Sequence, residues 1–61
     1  MHLVVEWYSR CGRLLQVVDS GEADTPSNRR SLEKDALRQI RENRGMSDAP
    51  ADADHFRIGV I

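Results

Sequence analysis

The apolar residues of this chain fall into three short blocks, Leu3 to Tyr8, Leu14 to Val18 and Phe56 to Ile61. Long polar stretches separate them, and one charged segment with helical spacing lies between the last two. A chain of 61 residues with this pattern has material for one small core. Domains of this size bury only about 60% of the surface that the unfolded chain exposes. We therefore expect a single domain over residues 1–61 that gains stability by association.

The first two blocks predict a β-hairpin, with strands at about residues 2–9 and 13–19. In the first strand the odd-numbered positions are wholly apolar, which predicts that they face a core. A loop over residues 10–12, with Gly12 at positive φ, places Trp7 opposite Leu15 and Val5 opposite Val17. This register brings the odd-numbered apolar residues of both strands to one face.

Residues 27–44 predict a helix. Leu32, Ala36, Leu37 and Ile40 are spaced to share one apolar stripe, and Gly45 can end the helix. Thr25, Ser27 and Ser31 are all candidate caps for its first turn, and the pattern leaves the choice open. Residues 46–54 are acidic, rich in alanine and interrupted by proline, so they predict a flexible loop.

The last block predicts a third strand over residues 55–61, with Phe56, Ile58 and Val60 on one face. A right-handed crossover through the helix makes this strand parallel to the second. Beside the first strand it completes an antiparallel sheet. The sequence thus predicts an α+β fold, a two-layer ββαβ domain with a three-stranded antiparallel sheet of order 2-1-3 packed on one helix.

Catalytic, metal and cofactor chemistry is not indicated by any motif. The lone Cys11 has no disulfide partner, and we expect it to lie far from both His2 and His55, which argues against a shared metal or Cys-His site. The isolated glycines form no phosphate-binding loop. We therefore predict no enzyme activity, no metal and no cofactor. No apolar run approaches the ~20 residues of a membrane span, and we predict a cytoplasmic protein without membrane partners.

A basic stripe on the predicted helix is the strongest surface signal. At helical spacing five cations share about a third of the circumference: Arg30, Lys34, Arg38, Arg41 and Arg44. The stripe is a candidate contact for phosphates or an acidic protein, and the alternative is an ordinary solvated face. The net charge of −1 gives no general attraction to nucleic acid, so nucleic acid is the less favoured partner.

The side of the sheet that faces away from the helix is the second candidate surface. In the predicted register it carries apolar residues that a monomer of this size rarely exposes together: Val4, Tyr8, Leu14, Val18 and Ile61. We interpret it as a homodimer or partner interface, with scattered surface residues as the alternative. The unpaired edges of the second and third strands offer further contacts.

Residues Phe56 to Val60 resemble the Arg-Ile-Gly-Val strand of the carbon-storage-regulator family of RNA-binding dimers. The likeness covers only these residues, and the opening hairpin lacks the residues usual in that family. The resemblance assigns no family, but it implies RNA binding as an alternative function.

Two functional hypotheses follow from the sequence. The first is a small non-catalytic protein-interaction module that docks onto a larger host protein or protein–nucleic-acid assembly. An example of such a module is a phage or mobile-element inhibitor of the anti-defence or anti-CRISPR type. The second is a homodimeric RNA- or DNA-binding regulator that uses the basic helix stripe.

Overall fold

A computed structural model describes residues 1–42 and 48–61 of the chain. The elements are β1 (His2–Ser9), β2 (Leu14–Ala23), α1 (Pro26–Glu42) and β3 (Ala53–Val60). The three strands form one antiparallel sheet of order β2-β1-β3, and α1 packs mainly on β3 and β1. The predicted α+β fold and strand order are confirmed.

The core lies between α1 and the sheet and is centred on Trp7, which is 1% exposed. The Trp7 ring packs at a tilt against the ring of Phe56, with 5.9 Å between centroids. The other buried residues of this cluster are Val5, Ala36, Ala49 and Ala53. Half-buried apolar side chains of β2, α1 and β3 close it: Leu15, Val18, Leu32, Ile40, Phe56 and Ile58.

Thr25 caps α1. Its Oγ1 accepts a hydrogen bond from the backbone N–H of Asn28 at 3.1 Å, and its carbonyl accepts the first helical bond from Arg29 at 2.9 Å. Pro26, the first helical residue, has no N–H to leave unsatisfied. The structure thus selects Thr25 among the three candidate caps. The predicted end of the helix, including Arg44 and Gly45, lies outside the described residues.

The register of β2 against β1 differs by one residue from the predicted register. Trp7 lies opposite Gln16 and Val5 lies opposite Val18, with an irregularity between Trp7 and Tyr8. The extra residue of this bulge is Leu15. Because the bulge breaks the alternation of faces, Leu15 and Val18 both pack into the core although they are three residues apart. The prediction that Val17 faces the core is wrong, since Val17 is 48% exposed.

The described part of the predicted loop, residues 48–54, is anchored instead of flexible. Ala49 is fully buried, and its N–H donates a hydrogen bond to Oε1 of Gln39 at 3.2 Å. Ala53, also fully buried, begins β3 two residues before the predicted start. Alanine side chains are small enough to fit between the helix and the sheet. The acidic, proline-containing composition of this segment predicts only a solvated loop, because composition does not show which alanines are buried. Residues 46 and 47 lie outside the described part.

The observed register yields a prediction from two adjacent valines. Val18→Ala removes methyl groups from the core and should lower the free energy of unfolding of the monomeric domain by about 1–2 kcal/mol. Val17→Ala should change the same quantity by less than about 0.5 kcal/mol. Urea denaturation of both variants measures the difference. The two values would be reversed if Val17 were the residue that faces the core.

Candidate functional site

The outward side of α1 carries the sequence-predicted basic stripe. Arg30, Lys34, Arg38 and Arg41 are all exposed, and Arg44 lies outside the described residues. Leu37, which the sequence places in the buried stripe, is instead 44% exposed and lines the same surface as Lys34, Arg38 and Arg41. We call Arg30, Lys34, Leu37, Arg38 and Arg41 the basic face of α1.

Most cations of this basic face have no anionic partner in the part of the chain that the structure describes. Arg38 donates to Asp35 at 2.5 Å one helical turn away. In residues 1–42 and 48–61, Arg30, Lys34 and Arg41 make no ion pair. Like charges at the i,i+4 spacing of Arg30, Lys34 and Arg38 disfavour a helix by about 0.2–0.5 kcal/mol per pair. The face therefore holds positive charge that an anionic ligand would stabilise.

Arg29, beside the basic face, is in contrast neutralised. Its guanidinium Nε donates to Asp24 at 2.7 Å, just before the helix begins. The hydrogen bond from Arg29 lowers the pKa of the Asp24 carboxyl, and the same contact raises the pKa of Arg29. This pair fixes the entry to α1 and leaves Arg29 out of the basic face.

The side of the sheet away from the helix, here called the outer face, is a polar cluster instead of an apolar patch. The Tyr8 hydroxyl donates to Glu6 at 2.9 Å, and Nε of Arg57 lies 3.6 Å from the same carboxylate. The Tyr8 ring stacks on His55 at 5.4 Å between centroids and 7° between planes. A Cβ at Gly59 would come within 3.1 Å of Glu6 Oε2, so the glycine makes room for this carboxylate.

The apolar interface predicted for the outer face is not assembled there. Val4 is only 1% exposed, and Val18 lies on the opposite, helix-facing side because of the bulge in β2. Tyr8 is half-buried in the polar cluster. Leu14 and Ile61 remain exposed, and Val17 joins Leu14 on the outer face of β2, since these two residues pair with Glu6 and Tyr8.

A groove of about 230 Å³ between α1 and β2 was not indicated by the sequence. It exists because α1 lies over β1 and β3 and leaves the inner side of β2 partly uncovered. Val5, Trp7 and Val18 are among its apolar lining, and four acidic residues also line it: Asp19, Glu22, Asp35 and Asp48. The indole N–H of Trp7 is buried and has no hydrogen-bond partner among the described residues. An uncharged or cationic side chain fits this lining better than an anion.

Cysteine and histidine do not form a common site in the described part of the chain. His55 lies opposite Tyr8, at the hairpin-tip end of the sheet, so the prediction that it lies far from Cys11 is wrong. His2 pairs with Asp19 at 2.6 Å towards the other end, and residues 1–42 and 48–61 contain no cluster of three metal-ligating side chains. The hydrogen bond with Ser9 lowers the pKa of the exposed Cys11 thiol, with a smaller effect of the backbone at Arg13.

Comparisons with known proteins found no family model, no curated protein and no solved structure that matches the chain. Within the described residues, no helix has the length and apolar character needed to cross a membrane.

The polar cluster of the outer face has a measurable signature in the pKa of Tyr8. The hydrogen bond to Glu6 raises this pKa above its ordinary value of 10.0, because the carboxylate holds the phenol proton. Glu6→Gln should lower the pKa of Tyr8 towards the ordinary value, as followed by ultraviolet titration of the only tyrosine. Glu33→Gln, an equal charge change on α1, is the control.

The raised pKa of Tyr8 also makes the free energy of unfolding depend on pH. Because the pKa of Tyr8 is raised in the folded protein, the protonated phenol and its hydrogen bond stabilise the fold below the ordinary pKa. This stabilisation is lost as the pH rises through the pKa of the folded state. Wild type should therefore lose stability at strongly alkaline pH more than Glu6→Gln does. An unchanged pKa of Tyr8 in Glu6→Gln would exclude the hydrogen bond as its cause.

Proposed function

We propose that this protein is a small non-catalytic interaction module that binds a negatively charged surface of a larger protein or protein–nucleic-acid assembly through the basic face of α1. The observation that carries this proposal is a set of cations on one side of a capped helix, Arg30, Lys34 and Arg41, that have no ion partner among the described residues.

The energetics of the basic face favour an anionic partner. Repulsion between neighbouring cations of α1 is relieved when carboxylates or phosphates approach them, so part of the binding free energy comes from the helix itself. Complementary charge also speeds association and orients the partner. Leu37, exposed among these cations, supplies apolar area that a docked surface would bury.

The position of the basic face on the outside of α1 favours binding over catalysis. The uncompensated cations occupy an outward helix face, whereas pKa tuning for acid–base chemistry needs ionisable groups enclosed in a pocket. Larger concave regions, of about 520–830 Å³, lie open to solvent along α1 and the hairpin loop. The more enclosed groove beside β2 has a volume of about 230 Å³, below the roughly 300–1,000 Å³ of typical small-molecule pockets. Its lining is acidic and suits a partner's side chain more than a free metabolite.

A finer form of the proposal concerns the biological role. A small domain with a basic helix face fits an inhibitor, encoded by a phage or mobile element, that occupies an anion-bearing surface of a host assembly. We place it in the cytoplasm, where an exposed free thiol such as that of Cys11 persists in reduced form.

The proposal predicts that charge reversal on α1 abolishes partner capture. Lys34→Glu with Arg41→Glu should weaken binding at least about tenfold, because carboxylates of the partner would then meet like charge. The measurement is quantitative mass spectrometry of proteins captured from lysate of the source cells, followed by titration of the captured partner. Lys34→Glu alone should also weaken binding, whereas Arg10→Glu, which makes the same change in net charge on the hairpin loop away from α1, should retain it.

Equal capture by wild type, by both α1 variants and by Arg10→Glu would contradict a role for the basic face. The nucleic-acid alternative is tested in parallel with a labelled DNA duplex and an RNA hairpin. Four phosphate contacts give a slope of log affinity against log salt of roughly −3 to −4 on duplex DNA. Tight binding with such a slope at physiological salt would replace the protein-docking proposal with the regulator.

A further inference from the structure

We propose that the protein forms a homodimer in which the free edges of two β2 strands pair antiparallel and join the two sheets into one of six strands. The unpaired edge of β2 at Leu14 to Val18 carries this inference. It does not rest on the basic face of α1, which lies over the other two strands.

The two edges of the sheet differ in how they are protected. Proteins guard exposed edges with charged residues, bulges or local capping, because a bare edge pairs with another chain. β3 carries Asp54, His55 and Arg57 along its length. The segment Leu14 to Val18 of β2 reads Leu-Leu-Gln-Val-Val, has neither charge nor proline, and departs from regular pairing at the bulge of Leu15 alone. Such a segment has high β-propensity and favours pairing.

The remainder of β2 is closed to pairing by its own side chains. The carboxylate of Asp19 accepts the N–H of Gly21 at 2.9 Å, and the hydroxyl of Ser20 accepts the N–H of Glu22 at 3.0 Å. Gly21 adopts φ of +72° in this irregular stretch. These local bonds take up donors that a further strand would need. The available edge is therefore limited to Leu14 to Val18.

Charge complementarity identifies a second copy as the partner of this edge. Arg13 directly precedes the uncharged segment, while Asp19 and Glu22 follow it. Antiparallel pairing about a two-fold axis near Leu15 and Gln16 brings Arg13 of each copy towards the acidic end of the other. Parallel pairing would instead align like charges. The net charge of −1 leaves little overall repulsion between two copies.

The same pairing would shelter the exposed apolar side chains of β2. Leu14 and Val17 lie on the outer face and are 50% and 48% exposed. A two-fold axis perpendicular to a continuous sheet keeps the outer faces together, so both residues of one copy meet both residues of the other. Cross-strand apolar pairs contribute roughly 0.2–1 kcal/mol each. This burial supplements the small core of the isolated domain.

The test is sedimentation equilibrium of the full chain. Wild type should be a dimer, and Val17→Lys should raise its dissociation constant about tenfold, because both apolar pairs between Val17 of one copy and Leu14 of the other would be lost. Leu37→Lys makes the same change at a residue of similar exposure on α1 and should leave the constant unchanged. A monomeric wild type, or a Val17→Lys variant as dimeric as wild type, would overturn the proposal.

A mixing experiment tests the antiparallel orientation. Arg13→Glu and Asp19→Arg should each dimerise less than wild type, since each creates like charges on both sides of the two-fold axis. An equimolar mixture of the two variants should restore dimers, because the carboxylate introduced in one variant then faces the guanidinium introduced in the other. A mixture that associates no better than either variant alone would exclude this orientation. Circular dichroism checks that both variants are folded.

Discussion

The structure depends on β1, the strand through which both interstrand pairings of the sheet run. Its residues are buried on both faces: Leu3 and Trp7 on the side of α1, and Val4 on the outer face between the flanking strands. A sheet of three strands with one helix has few other ways to exclude water, because α1 covers β1 and β3 better than β2. The partly covered β2 is thus the origin of the groove, of the exposed Leu14 and Val17 and of the free edge.

The strands in which apolar and polar residues alternate most strictly were the ones that the sequence predicted best. In β1 the core positions Leu3, Val5 and Trp7 alternate with other residues, and all three are buried as predicted. The second block, Leu14 to Val18, has apolar residues at both odd-numbered and even-numbered positions. Either of two registers, one residue apart, therefore places two apolar residues in the core. Turn and bulge geometry decide between these registers, and a pattern of side chains contains no record of the bulge.

The candidate surfaces were predictable to different degrees for a similar reason. Helical spacing alone brings Arg30, Lys34, Arg38 and Arg41 together, so the basic face follows from the sequence. The Glu6–Arg57 contact of the outer face joins residues far apart in the chain and depends on the pairing of β1 with β3. The acidic groove depends on where α1 crosses the sheet, which periodicity does not specify. Charge patterns within one helix can be predicted from the sequence, whereas contacts between distant residues can be predicted only when the strand register is known.

The proposed dimer and the proposed partner-binding face are geometrically compatible. A two-fold axis perpendicular to the joined sheet keeps both helices on the same side of it. Because α1 packs over β3 and β1, the helices stand away from the β2–β2 junction and do not collide. The two basic faces would then act on one target with an effective concentration set by a rigid sheet, so modest affinity at each face would give strong binding of an extended anionic surface. A monomer would have to achieve the same affinity with the few cations of a single helix.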